Sequence, residues 1–255
     1  MARGRTPQQR IAETIAADLR ERILDGRVPA HLPTQDQLVG EFGVSYPSVR
    51  EALRILETEG LITVRRGSVG GAEVHRPDGA SAAYHLGLVL QGEGVTLGDL
   101  AAGLQRLEPL CVGDVARRAD RLTVVVPALT ANVEASAAAV EDGVEFTRIA
   151  REFHDLVVAF TPNDTIRHVV RSLVALWSAQ EQQWATLLTK RGEYPSAAQA
   201  RGAVRTHRRL VADIAAGRAE EAEKFARKHL AATQELLLER FTDDVVSAAP
   251  ARRVR

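Results

Sequence analysis

The chain has 255 residues, 45% of them hydrophobic and 26% charged, which is the composition of a soluble globular protein long enough for two domains. Its 33 basic residues offset its 33 acidic ones, so overall charge excludes a generally nucleic-acid-seeking or membrane-seeking surface, and any such face must be a local concentration of arginine. One cysteine, Cys111, excludes an internal disulfide. With no signal-peptide pattern and no run near ~18 apolar residues, a reducing, cytoplasmic protein without a membrane span is expected.

Aromatic residues make up only 4%, so aliphatic and alanine side chains must fill the core, and helices packed on helices suit that best. From Thr6 to Asp25, Ile11, Ile15, Leu19, Ile23 and Leu24 recur at helical spacing, with Gly26 as the stop. After the prolines of "VPAHLP", Thr34 can cap a helix through Phe42 that turns Leu38 and Val39 inward. Gly43 ends it. Ser45 stands where an N-cap belongs, and Pro47 is tolerated in the first turn because its missing N–H would have had no helical partner. In this next helix Val49, Ala52, Leu53 and Leu56 form the buried stripe, while Tyr46, Arg50 and Arg54 repeat every four residues on another face.

Gly60 closes that helix, and "LITVRR" and "GSVGGAEVH" read as two short strands around a glycine-rich turn. The expected fold is therefore mainly α, an N-terminal winged helix-turn-helix followed by a C-terminal all-α helical bundle. Its divisions are residues 1–76 for the reading head, 77–94 for a linker and connecting helix, 95–245 for the bundle and 246–255 for a disordered tail. Within the bundle, Thr96 and Asp99 form a capping pair, Pro109 is expected to kink its helix, and further helices are read near 122–141, 144–160, 164–190, 196–216 and 218–241.

Two helices joined by a tight turn let the second lie in a DNA major groove while the first braces it. Contact falls to the N-terminal end of the second helix, where Ser45, Tyr46, Ser48 and Arg50 sit. Arg50 is the candidate guanine reader, since one guanidinium can pair with O6 and N7 together. Arg54, Arg65 and Arg66 suit phosphate or the minor groove. Thr34 and Gln35 at the preceding helix start, and Gly70 in the wing, complete the candidate DNA-binding set. A solvated basic face is the plainer reading of such arginines; the succession of helix, turn, helix and hairpin favours DNA.

The stretch from Ile11 to His75, above all "VS-x-x-x-VREAL-x-x-LE-x-EGL", resembles the DNA-binding domain of the GntR family of bacterial transcription regulators. Three departures stand out. The family usually has Gly where Ala30 or His31 stands and an acidic residue at Gln35, and it usually has Arg at Tyr46, so the operator sequence cannot be borrowed from relatives.

In the second domain His154, His207 and His229 each fall on the inward face of a different helix. An inward histidine can simply be a core residue with its ring hydrogen-bonded. Three that converge make a site for zinc, nickel or a similar divalent ion with open positions for a carboxylate. His31, His75, His85 and His168 lack such context. "LEPL" at 107–110, "FH" at 153–154, His207 and His229 are similar to the FCD domain that accompanies GntR-type heads in the FadR subfamily, an all-helical bundle that dimerises and binds small carboxylates, often through a metal. That resemblance implies a metal here, with an altered ligand set or a metal-free pocket as the alternative, because the usual acidic or Asn ligand one turn before the first histidine is Ala150 and the usual arginine before "LEP" is replaced by Gln105 and Arg106.

The expected function is a ligand-responsive regulator, not an enzyme. It is read as a repressor that binds a palindromic double-stranded operator as a homodimer and answers to a small effector of the organic or fatty acid class. Two other readings are a metal-dependent hydrolase or lyase using the three histidines, for which no Glu or Asp pairs with the trio in sequence, and a DNA-binding protein whose second domain only dimerises.

Overall fold

Helix α1 (Pro7–Leu24) and helix α3 (Tyr46–Thr58) build the first core by facing their small and aliphatic stripes toward each other. The computed structural model describes residues 7–28, 30–64, 72–77, 79–190 and 196–248; the side chains of residues 185–190 and of Leu236 are outside that description. Ala12, Ile15, Ala16, Leu19 and Ile23 of α1 are buried, whereas Ile11 and Leu24, expected inside, are exposed. Two alanines on the inner stripe allow the close approach that larger side chains would prevent.

Helix α2 (Gln35–Phe42) begins with a capping box in which the Thr34 hydroxyl accepts from the Gln37 N–H and the Gln37 side chain accepts from the Thr34 N–H. Gly43 ends α2 at φ +61°, a left-handed conformation that glycine reaches without a Cβ penalty. Three residues later α3 starts with Pro47 in its first turn. Strands β1 (Ile62–Thr63) and β2 (Glu73–Val74) then pair antiparallel, Ile62 opposite Val74 and Thr63 opposite Glu73. Residues 65–71 between them, including Arg65, Arg66 and Gly70, lie outside the described residues.

The chain divides into two units, Met1–Asp78 and Gly79–Arg255. The second is all helical among the described residues: α4 (Gly79–Gly92), α5 (Leu97–Arg117), a π-helical turn (Arg121–Val125), α6 (Val126–Ala138), α7 (Gly143–Ala159), α8 (Asp164–Lys190), α9 (Ala197–Ala215) and α10 (Ala219–Phe241). The expected helix at 122–141 thus begins as a wider turn, where the Val126 N–H reaches the Arg121 carbonyl ahead of Pro127. Thr96 caps α5 by accepting from the Asp99 N–H.

Helices α5 and α10 run antiparallel along each other, with Gly98 beside Thr242, Gln105 beside Gln234 and Gly113 beside Glu223. Pro109 was expected to kink α5, yet the helix runs unbroken through it. Proline has no N–H for the carbonyl four residues back; Arg227 of α10 supplies that donor instead, its Nη1 lying 3.0 Å from the Gln105 oxygen.

The expected disordered tail is corrected at its start. Val245 bridges to Thr96, the Val246 N–H donates to the Val95 carbonyl at 2.9 Å, and the Val246 side chain is fully buried. The Gln180 amide holds the Ser247 carbonyl at 2.7 Å and the Ala248 N–H reaches the Gln91 side chain at 2.9 Å. One buried apolar side chain and three hydrogen bonds made by the backbone of residues 246–248 are what turn a polar-looking terminus into a strap. Val246→Ala should therefore destabilise the helical unit by about 1–3 kcal/mol in urea unfolding, whereas a frayed residue would leave the midpoint unchanged.

Candidate functional site

On the first unit, carboxylates neutralise most arginines of the framework. Arg20 pairs with Glu59 at 2.5 Å, Arg22 with Asp18 and Glu41, and Arg27 with Asp25. Arg54 is exposed but engaged with Glu51 of its own helix at 2.7 Å. Arg50 is exposed and has no ion-pair partner among the described residues, and with Gln8, Gln9, Pro47, Glu51 and Arg54 it lines a shallow groove. A guanidinium left unpaired on the outer face of the second helix is free to meet phosphate or a base edge.

The remaining predicted contacts sort by their partners. Tyr46 is half exposed and donates its hydroxyl to Asp36 of α2 at 3.0 Å, tying the two helices. Thr34 is the α2 cap described above, and Gln35 is the partly exposed first residue of that helix. Ser45 is exposed at the α3 start, with its hydroxyl 3.2 Å from that of Ser48. Ser48 requires correction as a DNA contact: it is buried, 3% exposed, because it falls one position before Val49 on the side of α3 that faces the core.

In the second unit, α7, α9 and α10 bring His154, His207 and His229 together, each offering one ring nitrogen, all within 4.8 Å of one another. The Nε2 atoms of His207 and His229 stand 3.0 Å apart. His207 stacks flat on Phe153, with centroids 4.1 Å apart, which fixes its ring plane. Its Nδ1 is buried with no hydrogen-bond partner among the described residues.

The sequence reading found no carboxylate for the trio, and the structure supplies one. Glu108 of α5, 3% exposed, lies 2.5 Å from His154 Nδ1. The available sign was a charged residue at a buried-stripe position, since Leu104, Glu108, Cys111, Val112 and Val115 share one face of α5. A contact spanning 46 residues leaves no local trace of its partner.

Burial alone would lower the His154 pKa, but the charge and hydrogen bond of Glu108 outweigh it and raise the value. His207 is driven well below the ordinary imidazole value by burial and then by the other two rings. His229 falls to about 3 through burial and the His154 charge. Two rings are thus held neutral with lone pairs available, and the third is oriented by a carboxylate, the arrangement that outer-shell partners impose on metal-binding histidines. Nitrogens bound at ~2.0–2.1 Å to one ion stand roughly 3.0–3.4 Å apart, and the His207–His229 pair already has that separation. Ala150 lines the site and offers no ligand, so three imidazoles are the donor set and leave open positions.

The trio lines a cavity, open in part to solvent, between α5, α7, α8, α9 and α10, whose wall also includes Thr147, Trp177, Glu181 and Gln234. Cys111, buried nearby on α5, has its thiol pushed up to about 11, chiefly by burial, which makes it a packing residue.

The profile of the "Bacterial regulatory proteins, gntR family" matches residues 11–70, and that of the "FCD domain" matches residues 99–232, more than half of the chain. The chain belongs to the GntR family, as a regulator with an FCD domain. This arrangement is consistent with the FadR-like subfamily. The GntR regulator is 43% identical over 65 residues to the "Exu regulon transcriptional regulator" of Escherichia coli, covering 25% of each chain. It is 40% identical over 74 residues to an HTH-type transcriptional regulator of Mycobacterium tuberculosis, covering 28% of this chain and 30% of that one. The matches therefore span less than a third of these curated relatives. Among solved structures, Streptococcus agalactiae GntR superposes with a TM-score of 0.62 at 19% identity over 88% of this chain and 99% of that one, a likeness of fold. None of the described helices is long and apolar enough to cross a membrane.

The histidine pKa directions carry a pH signature. For His207 and His229 the folded value lies below the unfolded one, so their share of stability is present above the unfolded value near ~6.5 and is lost as pH falls below it. His154, raised, acts oppositely: its share is present below the unfolded value and is lost as pH rises through the folded one. With two rings against one, the melting point of the chelator-treated protein should fall between pH 7 and pH 5, and His229→Gln should shrink that fall. An equal fall in both proteins would mean that His229 titrates normally.

Proposed function

We propose that the GntR regulator is a homodimeric repressor that reads a palindromic operator with two helix-turn-helix heads and releases it when a small effector occupies the helical cavity. A two-fold protein meets two half-sites and gains contact energy from both. The observation that carries the sensing part is the convergence of three imidazoles, two of them with pKa values lowered by burial, in the wall of a partly open cavity of the helical bundle.

The effector proposed is an organic acid, with short fatty acids included in the class. His154, His207 and His229 would hold a divalent ion, zinc or nickel, and such an ion supplies open positions for a carboxylate oxygen. Glu108 would keep the His154 ring oriented for this, and Phe153 the His207 ring. The effector shifts DNA affinity only to the extent that it binds the operator-competent and operator-released states differently. Arg151 does not serve as a free counter-charge, because its guanidinium already donates to the Ser178 carbonyl and the Gln182 side chain and lies 3.9 Å from Glu181.

For the head, Arg50 is the residue proposed to read a base. Fluorescence anisotropy on DNA from upstream of the regulator's own operon should show sequence preference and a steep loss of affinity with salt. Arg50→Ala should weaken specific binding by about 1–3 kcal/mol, roughly 5- to 150-fold. An unchanged affinity and footprint would place another residue in the groove, and binding without sequence preference or salt dependence would remove the operator-reading proposal altogether.

A further inference from the structure

Pro47, Arg50, Glu51 and Arg54 fall at i, i+3, i+4 and i+7 of α3, on the face opposite the buried stripe of Val49, Ala52, Leu53 and Leu56. They line one shallow groove. That face carries two guanidinium groups and one carboxylate, and the carboxylate goes to one of them. Arg54 donates from Nε to Glu51 Oε2 at 3.0 Å and from Nη2 to Glu51 Oε1 at 2.7 Å, a bidentate fork, whereas Arg50 has no ion-pair partner among the described residues. The fork's hydrogen bonds are the main reason that the Glu51 carboxyl is held below its ordinary value and the Arg54 guanidinium above its own, so both are charged at neutral pH.

The fold has little need of this pair. The Arg54 side chain is 71% exposed and that of Glu51 36%, and an ion pair so open to water adds little to stability. Its effect falls on what DNA meets. Sequence-independent binding comes essentially from cations placed on phosphates. A phosphate that approaches Arg54 has to displace a bidentate partner already in place, and then lies beside the carboxylate it has stripped of its own partner. Resting on the reading of this face as the DNA-contacting one, we propose that Glu51 restrains sequence-independent DNA binding: by occupying Arg54 it withholds one cation from phosphate and leaves Arg50 as the free guanidinium of the face. Non-operator sites in a genome vastly outnumber operators, so lowering affinity for them leaves more regulator available to the operator.

Fluorescence anisotropy of the full-length protein on a labelled duplex of scrambled sequence, between 50 and 200 mM salt, tests this without an operator in hand. Glu51→Gln should bind more tightly than the parent at 50 mM and lose roughly three- to fourfold more affinity across that range, the signature of one added phosphate contact for each head on the duplex. Arg54→Ala should leave the salt dependence of the parent unchanged, yet in the Glu51→Gln background it should remove the gain. Both side chains are exposed, so neither substitution opens the core. Three results overturn the inference: no change in Glu51→Gln, a gain that survives Arg54→Ala, or a shallower salt dependence when Arg54→Ala is made in the parent. Arg50→Ala on the same duplex then separates the causes. If it weakens binding, the face meets DNA and the role of Glu51 alone is lost; if it changes nothing, the reading of the face is lost with it.

Discussion

A carboxylate sealed inside a helical bundle must find a partner or give up its charge, and in this protein that constraint joins α5 to α7. Glu108 has His154, 46 residues away on another helix, as its partner. Taking an ion from water costs several kcal/mol unless it is paired, so the contact sets the register of the two helices as well as the proton on His154. The consequence spreads to the other rings. The His154 charge adds to burial in lowering the values of His207 and His229. One oriented ring follows from the buried pair, and two rings with available lone pairs follow from their burial, with the His154 charge added.

Helix α5 carries a second long-range debt, created by Pro109. Losing that N–H frees the Gln105 carbonyl, and Arg227 of α10 answers it. The side chain of the same Gln105 grips Gln234, so the α5–α10 pair is fixed at backbone and side-chain level beside the cavity. The terminal strap extends the network: Gln180 follows Trp177 and Ser178 of the cavity wall on α8, holds Ser247, and the neighbouring Ala248 reaches Gln91 near the end of α4. A continuous chain of packed and hydrogen-bonded groups thus links the cavity to the helix that follows the reading head in the chain.

Much of this was legible in the sequence because it is local. Thr34, Gly43 and Pro47 set the boundaries of the helix-turn-helix through capping, left-handed backbone and a missing donor, and all three act within a few residues of themselves. The inward faces of His154, His207 and His229 followed from helical spacing alone. What escaped notice depends on distant partners. Glu108 signals only as a charge on an apolar stripe, Ser48 is buried by packing of the first core that its hydroxyl does not announce, and Val246 owes its place to backbone groups of Val95 and Thr96 far earlier in the chain. The inner stripe of α1 shows the same limit: alanines at 12 and 16 outcompete Ile11 and Leu24 because close approach to α3 favours small side chains.

The central claim is that the three histidines act as one ligand set oriented by Glu108. Zinc and nickel affinity, measured by chelator competition on the parent, His207→Ala and Glu108→Gln proteins purified without a metal-affinity tag, tests it most directly. One ion per chain in the parent, none in the alanine variant and a ten- to hundredfold weakening in the glutamine variant is the predicted result. Equal affinity in all three proteins, or no metal in the parent, would contradict it.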